Sequence, residues 1–292
     1  MRAVFTDNAF HCAREKPHGW KIVAKAIALS SLVIAASATN TISQERKSIP
    51  PRDKNNPLQE LIPGYYFNSL SRRARQDDDF DNVGYVTWVT KGEKLWKQID
   101  GAFRKSCFSC HNKASISMRG KAVTYPKYDP LSRKVINLEQ RINLCRKENL
   151  NASPWSHGSQ ELLAMTSYVR AQSHRMRIKV KIKGLASETF KQGKKIYTTP
   201  SGQLGMTCAQ CHNDRYGAFM RGTVISQGHP TAYPAWRDQS HQFQFLSSRI
   251  NDCLEFMRSP PMAPGSKEFV ALELYLNWRA NGLPSEAPGI RR

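Results

Sequence analysis

Two short clusters place reactive side chains at a fixed spacing: Cys107-Phe-Ser-Cys-His111 and Cys208-Ala-Gln-Cys-His212. Two cysteines separated by two residues can both form thioethers to the vinyl groups of one porphyrin. The adjoining histidine is then held on one face of the ring, where its imidazole can ligate iron. A zinc site made of two Cys-x-x-Cys pairs is the competing chemistry. Zinc pairs usually lie within about twenty residues of each other, whereas these lie 101 apart, each with its own histidine. The pattern therefore predicts two covalently bound c-type haems, attached through Cys107, Cys110, Cys208 and Cys211, with His111 and His212 on iron.

The residue opposite each histidine decides what such a centre does. Electron-transfer cytochromes usually place a downstream methionine there. Met118 lies too close to the first turn, Met165 belongs to an apolar stripe, and Met257 and Met262 have no counterparts in the first half. Cysteine does recur: Cys145 and Cys253 follow the same frame, Arg141-Ile-Asn-Leu-Cys145 and Arg249-Ile-Asn-Asp-Cys253. Thiolate ligation of each haem by its own cysteine is one reading. A Cys145–Cys253 disulfide, or Met262 on the second haem, remain alternatives at this point.

These residues recur because the chain repeats itself. At an offset of 101, Gly92-Glu-Lys-Leu-Trp96 matches Gly193-Lys-Lys-Ile-Tyr197, and the two CxxCH turns coincide. Seven further residues follow the second turn, after which the match resumes at 108 through the Arg-Ile-Asn-x-Cys frames. Leu162, Met165 and Val169 then face Phe269, Leu272 and Leu276 at an offset of 107, each trio spaced i, i+3, i+7 as on one stripe of a helix. Each copy reads as an opening helix, a CxxCH turn, a turn-rich middle and a closing helix. The expected fold is mostly α and loop-rich, two tandem cytochrome c-like helical domains related by an internal repeat. The expected boundaries are 81–173 for the first domain and 188–292 for the second. A basic connector spans 174–187, in which Met176, Ile178, Val180 and Ile182 alternate with cations as on an exposed strand.

Residues 1–38 have the form of an export leader: Arg14, Lys16, Lys21 and Lys25 precede the apolar run Ala26–Ala36, and Ala36-Ser37-Ala38 offers a cleavage site. Eleven residues are too few to span a bilayer as a helix. The expectation is a periplasmic protein cleaved near Ala38, followed by an extension over 39–80, with no membrane span. The formal charge is +21; the leader holds five basic and two acidic residues, so +18 remains after cleavage. Such a field draws in anions and acidic proteins. Export argues against nucleic acid as the partner. His229, in Gly-His-Pro-Thr, is read as a packing or hydrogen-bonding residue rather than an active-site one, and the acidic run Asp77–Asp79 as solvated surface.

Over roughly residues 58–292 the chain resembles the SoxA family, the dihaem cytochrome subunits of L-cysteine S-thiosulfotransferase in periplasmic thiosulfate oxidation. The resemblance rests on both CxxCH turns, Tyr125-Pro-Lys-Tyr128, Asn137-Leu-Glu-Gln-Arg-Ile-Asn-Leu-Cys145, Ile225-Ser-Gln-Gly-His-Pro-Thr231 and the tail Leu272–Pro284. It implies ligation of the first haem by His111 and Cys145 and of the second by His212 and Cys253. It further implies a persulfide on Cys253, substrate binding by Arg249, and conjugation of thiosulfate to a cysteine of a SoxY-like carrier within SoxYZ. The implied partners are a monohaem SoxX-like subunit in a heterodimer and a downstream cytochrome acceptor. A dihaem electron carrier without chemistry of its own and a dihaem peroxidase are the other function classes. The first would want Met or His opposite the histidines, the second an open haem face.

Overall fold

The computed structural model describes residues 48–67, 84–220 and 222–291; the expected leader and Asp77–Asp79 lie outside them. The repeat is visible element by element. In the first copy a π-helical turn, Gly84–Val89, runs into helix α1 (Thr90–Lys97), followed by α2 (Cys107–His111), α3 (Ala114–Ser117) and the hairpin β1 (Lys127–Asp129) with β2 (Lys134–Ile136). Helices α4 (Leu138–Cys145) and α5 (Gln160–Ala171) close it. The second copy runs α6 (Ser187–Thr198), α7 (Cys208–His212), hairpin β3 (Phe219–Met220) with β4 (Thr223–Val224), and hairpin β5 (Ala235–Arg237) with β6 (Gln242–Gln244). Helices α8 (Leu246–Phe256) and α9 (Lys267–Arg279) follow. The tail strand β7 (Gly289–Arg291) then adds parallel to β5.

Opening and closing helices cross closely in both copies, and glycine sets the approach. A methyl group on Gly92 would run into the Ala164 carbonyl, and one on Gly193 into the Ala271 carbonyl. Around the first crossing Trp96, Ile136, Met165 and Val169 make one core; around the second Tyr197, Phe269, Leu272 and Tyr275 make another. The predicted stripes are buried, but α5 and α9 are covered on nearly every side, because the other copy and the tail pack on the faces the pattern left to solvent.

The described residues form one compact unit. Leu162 and Leu163 pack on Phe243 and Phe245, and Trp88 stacks on Phe243 at 5.3 Å between centroids. Gln140 Nε2 donates to the Gly265 carbonyl at 2.9 Å. Glu273 lies buried against first-copy residues: Asn137 Nδ2 donates to its Oε2 at 3.0 Å and Arg170 Nη2 stands 3.6 Å from its Oε1.

The connector keeps its period of two but is no free strand. Ile178 and Val180 are buried, while Lys179, Lys181 and Lys183 stay exposed. Its backbone is tied to the tail, with Ile178 N donating to Leu283 O at 2.9 Å and Ser285 N donating to Met176 O at 2.9 Å.

Candidate functional site

Both CxxCH turns are nucleated in the same way. Ser106 caps α2 and Thr207 caps α7, each in a reciprocal capping box with Ser109 or Gln210. The helical turn turns both cysteines and the histidine toward the side where the downstream cysteine helix packs. Asn137 caps α4 in the same fashion, ending in Cys145. The thiolate charges of Cys145 and Cys107 would repel one another, as would those of Cys253 and Cys208, so each downstream cysteine stands beside its own turn. The six cysteines among the described residues are free thiols, with no bridge between Cys145 and Cys253.

The second site is a ready cavity of about 600 Å³. Cys208, Cys211, His212 and Cys253 line it together with apolar Ile196, Leu254, Met257 and Leu272. Burial pushes the Cys208 thiol up to about 11. Burial also holds the His212 imidazole down to about 4, hence neutral, as a metal ligand must be. Its Nδ1 donates to the Ser226 carbonyl at 2.7 Å, which fixes the tautomer and leaves Nε2 for iron. Gly228, at positive φ, lets the backbone pass against the His212 ring, where a side chain would collide. An apolar cavity of this size, two free thiols at thioether spacing and a neutral, oriented imidazole fit a covalently bound haem.

The seven residues that the second copy adds belong to a stretch that builds the β3–β4 hairpin. Its Met220, Thr223 and Val224 line the cavity, while Phe219 points away, 80% exposed. In the first copy, among the described residues, Cys110 and His111 are exposed, and a small space of about 80 Å³ lies beside Cys107. Its donor set, two thiols at the same spacing with an adjoining imidazole, is the one a further haem would need. Burial, with Arg141 nearby, lowers the His111 imidazole, and burial pushes Cys107 up to about 11.

Arg249 reaches the cavity from α8, one helical turn before Cys253. Burial works against its charge but is outweighed by Cys253, Tyr233 and Asp252, so its guanidinium is held more firmly charged than usual. Asp252 is only a loose partner at 3.9 Å. In the first copy Arg141 is instead bound by Asp129 at 3.1 Å, and its charge favours the Cys145 thiolate. Met262 packs near the second site, its backbone held by Asn251, and also lines the cavity.

His229 is buried, 7% exposed, on the cavity wall. Gln227 fixes its tautomer: the Gln227 Oε1 accepts from Ile62 N at 2.8 Å while its Nε2 donates to Glu60 O. That Oε1 can only accept from His229 Nε2, at 3.0 Å. Its place is that of a packed, hydrogen-bonded residue, with Nδ1 lacking a partner. Arg237, 4% exposed on β5, also lines the cavity and was missed by the sequence reading. Carrying the offset of 108 back through Tyr125-Pro126 and Tyr233-Pro234 would have found it opposite Asp129.

The family model for the SoxA/TsdA cytochrome c domain matches residues 91–178 and 192–285. The L-cysteine S-thiosulfotransferase subunit SoxA of Pseudaminobacter salicylatoxidans is 33% identical over 240 residues, covering 82% of this chain and 84% of that protein. The SoxA subunit of Rhodovulum sulfidophilum is 35% identical over 232 residues, 80% of each. Among solved structures, SoxXA from Paracoccus pantotrophus superposes with a TM-score of 0.76 at 33% identity, covering 81% of this chain and 89% of that one.

Proposed function

The chain belongs to the SoxA/TsdA cytochrome c family, and from that premise we propose that it is the dihaem subunit of an L-cysteine S-thiosulfotransferase. It joins thiosulfate to a cysteine of a SoxY-like carrier within SoxYZ. In that reaction a carrier thiol and thiosulfate form a new S–S bond, with loss of the thiol proton and two electrons. The electrons leave to c-type haem acceptors, one on a SoxX-like partner chain and then a downstream cytochrome. The likeness to SoxXA supports a heterodimer with such a partner.

Cys107 and Cys110 hold the first haem, with His111 and Cys145 as its ligands; Cys208 and Cys211 hold the second, with His212 and Cys253 as its ligands. When bound, the second haem supplies a one-electron sink beside Cys253. His212, oriented by the Ser226 carbonyl, would hold its iron through Nε2. Cys253, carrying an extra sulfur as a persulfide, presents anionic sulfur, the form that exchanges with sulfur partners. Arg249 offers a planar fork to the oxygens of thiosulfate. Met220, Thr223 and Val224 of the β3–β4 hairpin line the same cavity as Cys253, together with apolar side chains.

The observation that supports this reading most is the meeting of Cys253 and Arg249 in one cavity with the second CxxCH turn. Among the described residues no helix is long and apolar enough to cross a membrane. Export to the periplasm, with cleavage near Ala38, completes the reading. The test is to mix the holoprotein and its partner chain with thiosulfate, a carrier protein bearing one cysteine, and an oxidised cytochrome c. The carrier should gain the mass of one thiosulfate with two cytochromes reduced per adduct; cytochrome reduction without an adduct would contradict it.

A further inference from the structure

One cation of the second copy is fully buried with no carboxylate to match it. Arg279, the last residue of α9, is 0% exposed, and among the described residues no acidic side chain forms an ion pair with it. Neutral groups hold its guanidinium instead. Nη1 donates to the Gln227 carbonyl at 2.9 Å, and Nη2 donates to Asn213 Oδ1 at 2.6 Å and to the His212 carbonyl at 3.3 Å. Cζ lies 4.6 Å from the centre of the Tyr197 ring, and Nε has no partner. Arg279 does not line the cavity but stands behind it. It is tied to the backbone of His212 itself and to that of Gln227, the neighbour of Ser226, whose carbonyl accepts from the His212 ring. The first copy is neutral here. At the offset of 107 that relates the closing helices, Gln172 takes the place of Arg279, and its amide turns back to the Tyr168 carbonyl of its own helix at 2.9 Å. The first CxxCH turn is met by the Trp96 indole, which donates to the Asn112 carbonyl at 3.0 Å.

A buried cation without a counter-ion costs free energy that carbonyl acceptors and a ring face return only in part. The first copy closes without one. What such a charge changes is the energy of an electron added nearby: in a low-dielectric interior a fixed positive charge favours the reduced iron over the oxidised. A thiolate ligand acts in the opposite sense, pushing electron density onto iron. We propose that Arg279 is a positioning residue that acts through its charge: held against the His212 carbonyl, it raises the reduction potential of the second haem. That haem can then take up one of the two electrons released when the sulfur–sulfur bond forms. This rests on the reading of His212 as an iron ligand of the second haem.

The test is a spectroelectrochemical titration of the holoprotein, following both haems, for wild type, Arg279→Gln, Arg279→Lys and Asn213→Asp. Arg279→Gln removes the charge and should lower the midpoint of the second haem. The expected change in its reduced-to-oxidised ratio at a fixed solution potential is about tenfold, which is about 59 mV for one electron. Asn213→Asp keeps the arginine and sets a carboxylate against its fork. It should lower the same midpoint, and it carries the test where Arg279→Gln disturbs folding. Arg279→Lys keeps the charge without the fork and should retain most of the wild-type midpoint. The first haem should hold its midpoint in every variant. A second-haem midpoint unchanged in Arg279→Gln or in Asn213→Asp would overturn the proposal. So would Arg279→Lys falling as far as Arg279→Gln, the mark of a clamp whose charge is idle. A wild-type second haem whose low-spin spectrum lacks histidine ligation would sink the ligand reading and the proposal with it.

Discussion

At the scale of single residues the chain spends charge in unusual places. Glu273 is a buried carboxyl pushed well above the usual carboxylate range, first by burial and then by Glu139, with Arg170 and the Asn137 amide pulling the other way. Burial and the neighbouring Glu139 charge outweigh the Arg170 guanidinium, so Glu273 holds its proton into the neutral range. A carboxyl whose folded pKa exceeds its unfolded value, ordinarily 4.5, stabilises the fold below that value. The stability is lost as pH rises toward the raised folded pKa, because the unfolded chain releases the proton first. The buried His212 and His229 work the other way up to their ordinary value of 6.5, so thermal unfolding of the wild type should fall in midpoint as pH rises from about 6.5 toward 8. Glu273→Gln should flatten that slope, and an unaltered slope would place the titrating group elsewhere. Of the single residues, the cysteines and histidines of the sites were legible in the sequence, since their chemistry is written in spacing. Arg237 was not: one charged residue on a three-residue strand has no pattern of its own, and only its repeat partner gives it meaning.

At the scale of elements, the closing helices were legible from their stripes and the CxxCH turns from their cysteine and histidine spacing. The hairpins β1–β2 and β5–β6 were hidden inside segments that read only as turn-rich. Strands of three residues show too few alternations to declare a period, and tertiary packing holds them. The seven added residues were seen as a gap in the repeat but not as part of the wall of a cavity. Gly92 and Gly193 were seen as matched letters; their cause is the helix crossing. Gly193→Ala forces α6 off the Ala271 carbonyl of α9, and overpacking of this kind typically costs about 1–3 kcal/mol. The melting temperature should drop accordingly. A midpoint within error of wild type would show that the crossing has slack.

At the scale of the whole molecule, duplication has produced two centres with the same frame and different surroundings. In the first, Cys110 and His111 are exposed among the described residues, and Arg141 is neutralised by Asp129. The second is lined by a hairpin, and Arg237, Arg249 and Arg291 border its cavity with Cys253. The copies share one compact unit, joined through the Phe243 and Phe245 contacts and the buried Glu273 cluster. Sequence alone separated them into beads on a basic connector, because a strand buried on one side reads much like an exposed one when its other side is all lysine. This asymmetry confines the proposed thiosulfate conjugation to the second copy. The most direct measurement compares Cys253→Ala with Cys145→Ala in the carrier-adduct assay, with haem spectra recorded on the same samples. Both variants should carry two attached haems, since the thioether cysteines are untouched. Cys253→Ala should form no adduct and Cys145→Ala should retain most of the activity, each altering the spectrum of its own haem alone. An active Cys253→Ala protein, or equal loss in the two variants, would contradict it.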